Sequence, residues 1–529
     1  MVHMISFNLS RASALTIAGV LAFLIFRSLY VVVYRLYFSP LARFPGPKLA
    51  ALSTWYEAYY DLFKKPHGGQ FAFHIKRLHE KYGPIVRVGP NEVHIDDPDY
   101  YNEVYSMASP SKPIDKLTRY KHRFAMPEAT ISTVDSEHHR IRRAAIAPFF
   151  TRARISSLES TLTEVIQRIS SRLASEHAGS GMVINVCDMW GSLTADVVSK
   201  MAFARPTQFT AAPDFQSPYS HALMSMVYTA HYTTHFSWVM RMAHWIPDSV
   251  LRVLVPIFRP VLDYRVAIQR QIRDVLEGSN VEAKTAGHPT IFTDIFQAQL
   301  PPQELSFDRL TQEAMSVSGA GIETTMWTLS VATFHILWNP SIEQRLVAEL
   351  VGAMPDPTQI LSWTQLEKLP FLSAVISESL RLSFGSVQRL PRVHRNRTLT
   401  YAKWEIPAGT AVSMDAYHIH VNPDIFPDPY EFKPERWLGD PMSFNGKHRL
   451  SYYLTTFSRG SRVCIGMHLA MMDMYVALAT LFRRHKLELF ETDRSDVDFI
   501  MDLVRPMPKW GSKGVRVIVK EMESVGEKL

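Results

Sequence analysis

The chain has 529 residues, 47% of them hydrophobic and 20% charged, which is the usage of a globular protein and excludes a disordered or fibrous one. Its 57 Lys and Arg against 50 Asp and Glu leave a formal charge of +7 with no Lys/Arg block, a surplus suited to an anionic membrane or an acidic protein partner; no finger, basic-zipper or RNA-binding signature supports a nucleic-acid partner. Only 2 cysteines are present, which excludes a disulfide framework and points to a reducing compartment.

Residues 14–34 are largely apolar, broken by Arg27, and are about long enough to span a bilayer. No small-residue cleavage site follows; Arg35, Leu36, Tyr37 and Phe38 come instead, so a retained anchor is expected rather than a signal peptide. Arg11 alone precedes the span closely, whereas Arg35, Arg43 and Lys48 follow it, an asymmetry that places the bulk of the chain in the cytosol. Pro40, Pro45, Gly46 and Pro47 form a stiff connector. No linker or repeat divides the remainder. The expected organisation is a tail (1–13), a transmembrane anchor (14–34), a proline-rich hinge (35–47) and one large domain (48–529).

Within that domain, Trp55 to Tyr82 reads as helix, stopped by Gly83-Pro84. Ile85–Val88 and Glu92–Ile95 alternate around a Gly-Pro-Asn turn and read as a hairpin. Ser106 to Val134 is polar and proline-containing, a long loop of the kind that often carries function. The apolar positions from Ile155 to Leu173 repeat at three and four, an amphipathic helix. Cys187 has no second cysteine or suitably spaced histidine nearby and reads as core packing. Tyr219 to Pro256 is dense in Met, His, Trp and Val.

Asp308 to Trp338 is a long apolar helix closed by Asn339-Pro340. Its middle reads Gly319-Ala320-Gly321-Ile322-Glu323-Thr324-Thr325. Two glycines inside a helix cost about 1 kcal/mol each relative to alanine, and an acid beside two threonines is foreign to so apolar a run. Local rules broken in this way often mark function, although a threonine bonding back to its own helix is the simpler alternative. Phe371 to Phe384 is another helix, with Glu378 and Arg381 three apart and so on one face.

Near the end, Phe457-Ser458-Arg459-Gly460-Ser461-Arg462-Val463-Cys464-Ile465-Gly466 leads into a mostly apolar helix expected to start near Cys464. A sulfur at a helix N-terminus beside unpaired N–H groups is favoured as thiolate. Gly460 and Gly466 let the backbone turn and approach a flat partner, and Arg462 suits an anionic group. Phe457, Gly460, Arg462, Cys464 and Gly466 resemble the Phe-x-x-Gly-x-Arg-x-Cys-x-Gly signature of the cytochrome P-450 family. The resemblance extends to the Gly-x-Glu-Thr run at Glu323-Thr324, to Glu-x-x-Arg at Glu378 and Arg381, and to Pro-Glu-Arg-Trp at Arg436.

That resemblance implies a mainly α fold, one large helical domain with a small β-rich lobe, preceded by a transmembrane helix. It implies haem b, with iron ligated by Cys464 and propionates met by Arg462, by Arg392 in Leu390-Pro391-Arg392-Val393 and by a pair in Glu137–Arg143. The family usually has Trp-x-x-x-Arg there; this chain offers His139/Arg143, the preferred frame, or His138/Arg142. It further implies Thr324 and Glu323 in proton delivery, a Glu378–Arg381–Arg436 triad that locks the core, and a substrate-channel lid at Tyr219–Pro256. The expected partners are NADPH-cytochrome P-450 reductase, cytochrome b5, the endoplasmic reticulum membrane and an apolar small-molecule substrate. The wording resembles fungal secondary-metabolism members of the trichodiene oxygenase type, which implies hydroxylation or epoxidation of a terpenoid or similar scaffold. A haem-thiolate isomerase or dehydratase needing no reductase, and a non-catalytic haem-binding protein, are the two alternatives.

Overall fold

A computed structural model describes residues 2–243, 245–282 and 290–521. Helix α1 (Val2–Val33) continues through a wide turn at Tyr34–Phe38. Its Ser13–Phe38 stretch has a mean hydropathy of 2.2 and is long and apolar enough to cross a membrane. None of that stretch is buried against the rest of the chain, so its apolar surface needs another environment. The hinge therefore begins later than expected: Tyr34–Phe38 is still helical, and the chain leaves the helix at Ser39.

The expected single helix over Trp55–Tyr82 is broken into Trp55–Ala58, Tyr59–Phe63 and α2 (Phe71–Tyr82). Pro66, Gly68 and Gly69 explain the break, since the glycines take positive φ and Pro66 cannot donate. The longer helices that follow are α3 (Ser136–Ile146), α4 (Glu159–Arg172), α5 (Val186–Phe203), α6 (Pro218–His235), α7 (Arg259–Leu276), α8 (Phe307–Trp338), α9 (Pro340–Ala353), α10 (Pro370–Ser383) and α11 (Met467–Arg484). Sequence chemistry sets their starts: Asp135 caps α3 by accepting from the His138 amide, and proline opens α6, α9 and α10.

Helices α5 and α8 lie along each other at the centre and are buried nearly all round, which is why both read as apolar on every face. Leu193, Val197, Leu329 and Phe334 belong to this core, and α4, α10 and α11 surround it. Gly319 and Gly321 serve this packing. A Cβ on Gly319 would come within 2.7 Å of Leu223 on α6, and one on Gly321 within 2.7 Å of Val198 on α5. Their place in the helix is explained by close helix contact.

The strands are β1 (Ile85–Gly89), β2 (Glu92–Ile95), β3 (Ile114–Lys116), β4 (Val183–Asn185), β5 (Arg392–His394), β6 (Leu399–Tyr401), β7 (Trp404–Ile406), β8 (Ala411–Ser413), β9 (Lys486–Leu489), β10 (Met501–Leu503), β11 (Arg505–Met507) and β12 (Arg516–Lys520). The largest sheet has the order β1-β2-β8-β5-β3, with β1 and β2 paired as the expected hairpin. The segment expected to be a bare loop, Ser106–Val134, in fact supplies β3, which pairs antiparallel with β5. That register sets Lys116 directly opposite Arg392.

Candidate active site

The segment Phe457–Gly466 is held from several directions. The Cys464 amide donates to the Phe457 carbonyl at 2.9 Å. Gly460 sits at φ +73°, and a Cβ there would lie 2.3 Å from the carbonyl oxygens of Tyr105 and Ser106, so only glycine fits. Gly466 is different. Its φ is −85°, it caps α11, and a Cβ there would meet nothing within 4 Å.

Helix α11 begins at Met467, three residues beyond the expected start near Cys464. The thiol is consequently not in the first turn. Burial pushes it up, against smaller downward pulls from the Gly466 amide and the Arg143 guanidinium; the helix end does not win. Yet Cys464 is an exposed side chain. The sulfur is accessible yet closely surrounded by protein, the setting of a group that lines a hollow. In the middle of α8, among mostly buried neighbours, Ala320 and Thr324 are likewise exposed. The Thr324 hydroxyl donates to the Ala320 carbonyl at 2.8 Å, the back-bonded geometry that its position in a helix allows.

Cations gather on the same side. Arg462 donates to the carbonyls of Thr133 and Val134 at 2.7 and 2.8 Å. Arg392 reaches only its own neighbours' carbonyls, Leu390 and Pro391. Lys116 reaches the Ile131 carbonyl. Among the described residues, none of these three, nor Arg143, has a carboxylate within ion-pair distance, because Asp115 and Asp135 are both taken by Arg395. Desolvation, then Arg392, brings Arg462 down to about 9. Desolvation followed by Arg462 and Arg392 pushes Lys116 well down. The buried His139 falls to about 2, from burial and then Arg462, Lys116 and Arg143, and is neutral. Like charges opposite each other in a sheet are destabilising, so this cluster is built for something negative.

The two overlapping frames in α3 separate cleanly. His138 and Arg142 both bind Glu304, at 2.7 Å each; Arg142 and Glu304 are buried, and the His138 side chain is partly exposed. His139 and Arg143 are the frame that lies with Arg462, Lys116 and Cys464.

In the core, Glu378 and Arg381 form a fully buried pair at 2.7 Å, and Arg436 reaches the same carboxylate at 3.1 Å. Arg381 also donates to the carbonyls of His420, Pro429 and Glu431. Trp437 Nε1 donates to Glu378 at 2.8 Å. Despite burial, these partners hold the Glu378 carboxyl below the usual range.

Glu323 is buried on α8, 3.4 Å from Arg505, with neither oxygen hydrogen-bonded. Burial raises its carboxyl and Arg505 opposes this. Lys116, in a segment expected to be a loop, was not foreseen beside these cations; Trp437 stands in the Pro-Glu-Arg-Trp run, but its bond to Glu378, 59 residues away, was not foreseen.

The residues fit a haem. An enclosed thiol, an open approach at Gly466 and a set of cations lacking acids match an iron, a flat ring and two carboxylates. Cys464 could ligate the iron, and Arg462, Arg392, Lys116, Arg143 and His139 could meet the propionates.

A family profile described as cytochrome P-450 matches residues 52–510. Cytochrome P-450 monooxygenase orf4 of Eupenicillium brefeldianum is 40% identical, over 93% of this chain and 96% of its own. Cytochrome P-450 monooxygenase sdnE of Sordaria araneosa is 38% identical, over 92% and 95%. Tryptophan 6-hydroxylase fscE of Fusarium equiseti is 36% identical, over 96% and 98%. A crystal structure of a cytochrome P-450 superposes with a TM-score of 0.69 over 90% of this chain and 99% of that one, at 17% identity, a likeness of fold.

Proposed function

The chain belongs to the cytochrome P-450 family and is a monooxygenase that uses haem b, and from that premise we propose that it is a membrane-anchored enzyme placing one oxygen atom on an apolar small molecule of secondary metabolism, a terpenoid or similar scaffold. Its electrons come from NADPH through a flavoprotein reductase, with cytochrome b5 as a second donor. The observation that carries the site assignment is the cluster of Arg462, Arg392, Lys116 and Arg143 without acidic partners beside Cys464. In this reading Cys464 would ligate the haem iron, those cations and His139 would hold the propionates, and Phe457, Gly460 and Gly466 would shape the bed. The Glu378–Arg381–Arg436 triad locks the fold behind it.

When bound, haem supplies dioxygen activation, assisted by electron donation from a thiolate ligand. The rest is the chain's own work. Thr324 has given its hydroxyl hydrogen to Ala320, so its oxygen is left as an acceptor. It can hold a water that keeps one hydrogen free on the wall of the hollow. Glu323, buried, raised and without hydrogen bonds, can take up and release a proton, with Arg505 limiting how far its carboxyl rises; it resupplies that water. Helix α8 offers the hollow Ala320, a single hydroxyl and no charge, which suits an apolar substrate.

The Ser13–Phe38 helix anchors the enzyme in the endoplasmic reticulum membrane, catalytic domain in the cytosol. Exposed Trp238, Val239, Met242 and Trp245 in the lid region, and Trp55, Tyr59 and Phe63 near the anchor, form apolar surface on one side, joined where Trp55 meets Phe236 edge-on at 5.7 Å. This supports a lid dipping into the same membrane.

Microsomes carrying the protein and a reductase, given NADPH, isotopically labelled dioxygen and candidate scaffolds (an indole among them, given the tryptophan hydroxylase relative), should yield products heavier by one labelled atom. Products lacking label, formed equally without NADPH, would favour an isomerase.

A further inference from the structure

Helix α6 carries His231 and His235 one turn apart, so both imidazoles project from one face. They converge on Asp61 of the Tyr59–Phe63 turn. Asp61 Oδ2 lies 2.8 Å from His235 Nε2 and 3.3 Å from His231 Nδ1. The three side chains are buried, with potential ligating atoms all within 4.8 Å of one another. The other nitrogen of His231, Nε2, is 2.5 Å from the backbone carbonyl oxygen of Asp502 in β10. A carbonyl can only accept, so Nε2 carries a proton. In the neutral ring Nδ1 is then a lone pair aimed at a carboxylate oxygen, and it has no hydrogen-bond partner. Two buried lone pairs facing each other repel, so a cation belongs between them; against burial, Asp61 raises the His231 imidazole to about 9, and that cation is either a proton on Nδ1 or a metal ion.

We propose that Asp61, His231 and His235 are the protein ligands of a divalent transition-metal ion, zinc by their chemistry. Two imidazoles and one carboxylate are a donor set that zinc takes in three-ligand sites, with a fourth position left for water. Histidines at i and i+4 on one helix face are a known spacing for such ligands. The Asp502 carbonyl behind His231 is the kind of outer partner that fixes the tautomer of a metal-bound histidine. Glu57, close by in sequence, is already engaged by Arg119 and Arg389 and takes no part. The ion ties three elements together: α6, the segment that follows the anchor, and the β10–β11 hairpin. It clamps the C-terminal end of α6, whose middle meets α8 through Leu223 and Gly319.

The test uses full-length, haem-loaded protein in detergent, stripped by chelator and dialysed against zinc. Wild type should retain one zinc per chain, and its thermal midpoint should rise with zinc concentration. His231→Ala and His235→Gln should bind at least about tenfold more weakly, with the midpoint rise lost. Haem content equal to wild type is the control for folding; because the glutamine amide can still bond Asp61, His235→Gln preserves the fold should His231→Ala not. Absence of stoichiometric zinc on wild type, or equal retention by the folded variant, would overturn the proposal and leave an ion pair between Asp61 and a protonated His231.

Discussion

Around Arg381 every buried charge meets its opposite: Glu378 takes Arg381, Arg436 and the Trp437 indole, and backbone carbonyls take what remains of the guanidinium. Around Arg392 the reverse holds. Lys116 faces it across the sheet, Arg462 lies near, and the nearby acids are spent on Arg395. Both regions bury cations, at a cost in desolvation that something must offset. In the first, the chain itself supplies the anion and the result is a lock. In the second it withholds the anion, as the proposed seat for a ligand bearing two carboxylates requires. The pairing of a buried charge thus separates structural arginines from binding ones where sequence spacing alone treats them alike.

The comparison breaks first at the lock. Arg381→Ala strips the buried Glu378 of its nearest cation and leaves it Arg436 and the Trp437 indole, a loss of up to about 3–5 kcal/mol, a large part of a domain's stability. The expected outcome, read by expression and haem content, is little folded protein. A stable, fully loaded variant would make the pair dispensable. At the seat the sign should differ between loaded and empty protein. Arg392→Leu removes one of two facing cations, so the haem-free protein should melt no lower than wild type. Haem transfer to an acceptor protein should meanwhile speed up roughly tenfold or more, from loss of a charged hydrogen bond worth about 1.5–3 kcal/mol.

Acid sharpens the same contrast. The Glu378 carboxyl is lowered in the folded state, chiefly by Arg381 working against desolvation. Its contribution is therefore complete above the free carboxyl value of about 4.3 and is lost as pH falls through the folded value, with a slope of at most about 1.4 kcal/mol per pH unit. Denaturant midpoints measured across that range should decline for wild type, and Glu378→Gln should lack that part of the decline. The smallest effect on stability belongs to Thr324→Ala, which removes a back-bonded hydroxyl facing the hollow. Folding and haem loading should be unchanged, and NADPH consumption with a reductase should continue. Less product and more hydrogen peroxide should appear, since the ordered water is gone; unchanged coupling would shift that role to Thr325 or to the substrate.

How much of this was legible in the sequence follows the same divide. Cys464, Arg462, Glu378, Arg381 and Arg436 lie in short runs whose spacing is itself the signal. Lys116 was not legible, because its meaning comes from a strand register with Arg392 nearly three hundred residues away. What distinguishes His138/Arg142 from His139/Arg143 is Glu304, far along the chain, which binds the first pair. Gly319 and Gly321 stood out correctly as unusual, but their partners, Leu223 and Val198, are on other helices. The fragmentation of Trp55–Tyr82 was readable from Pro66, Gly68 and Gly69, whose weight the apolar pattern masked.

Cys464 is the residue proposed to ligate the iron. The most direct measurement is the carbon monoxide difference spectrum of the reduced full-length protein beside that of Cys464→Ala. Wild type should show the band of a thiolate-ligated haem, and the variant should lose it even where some haem is retained. The same band in the variant would contradict the assignment.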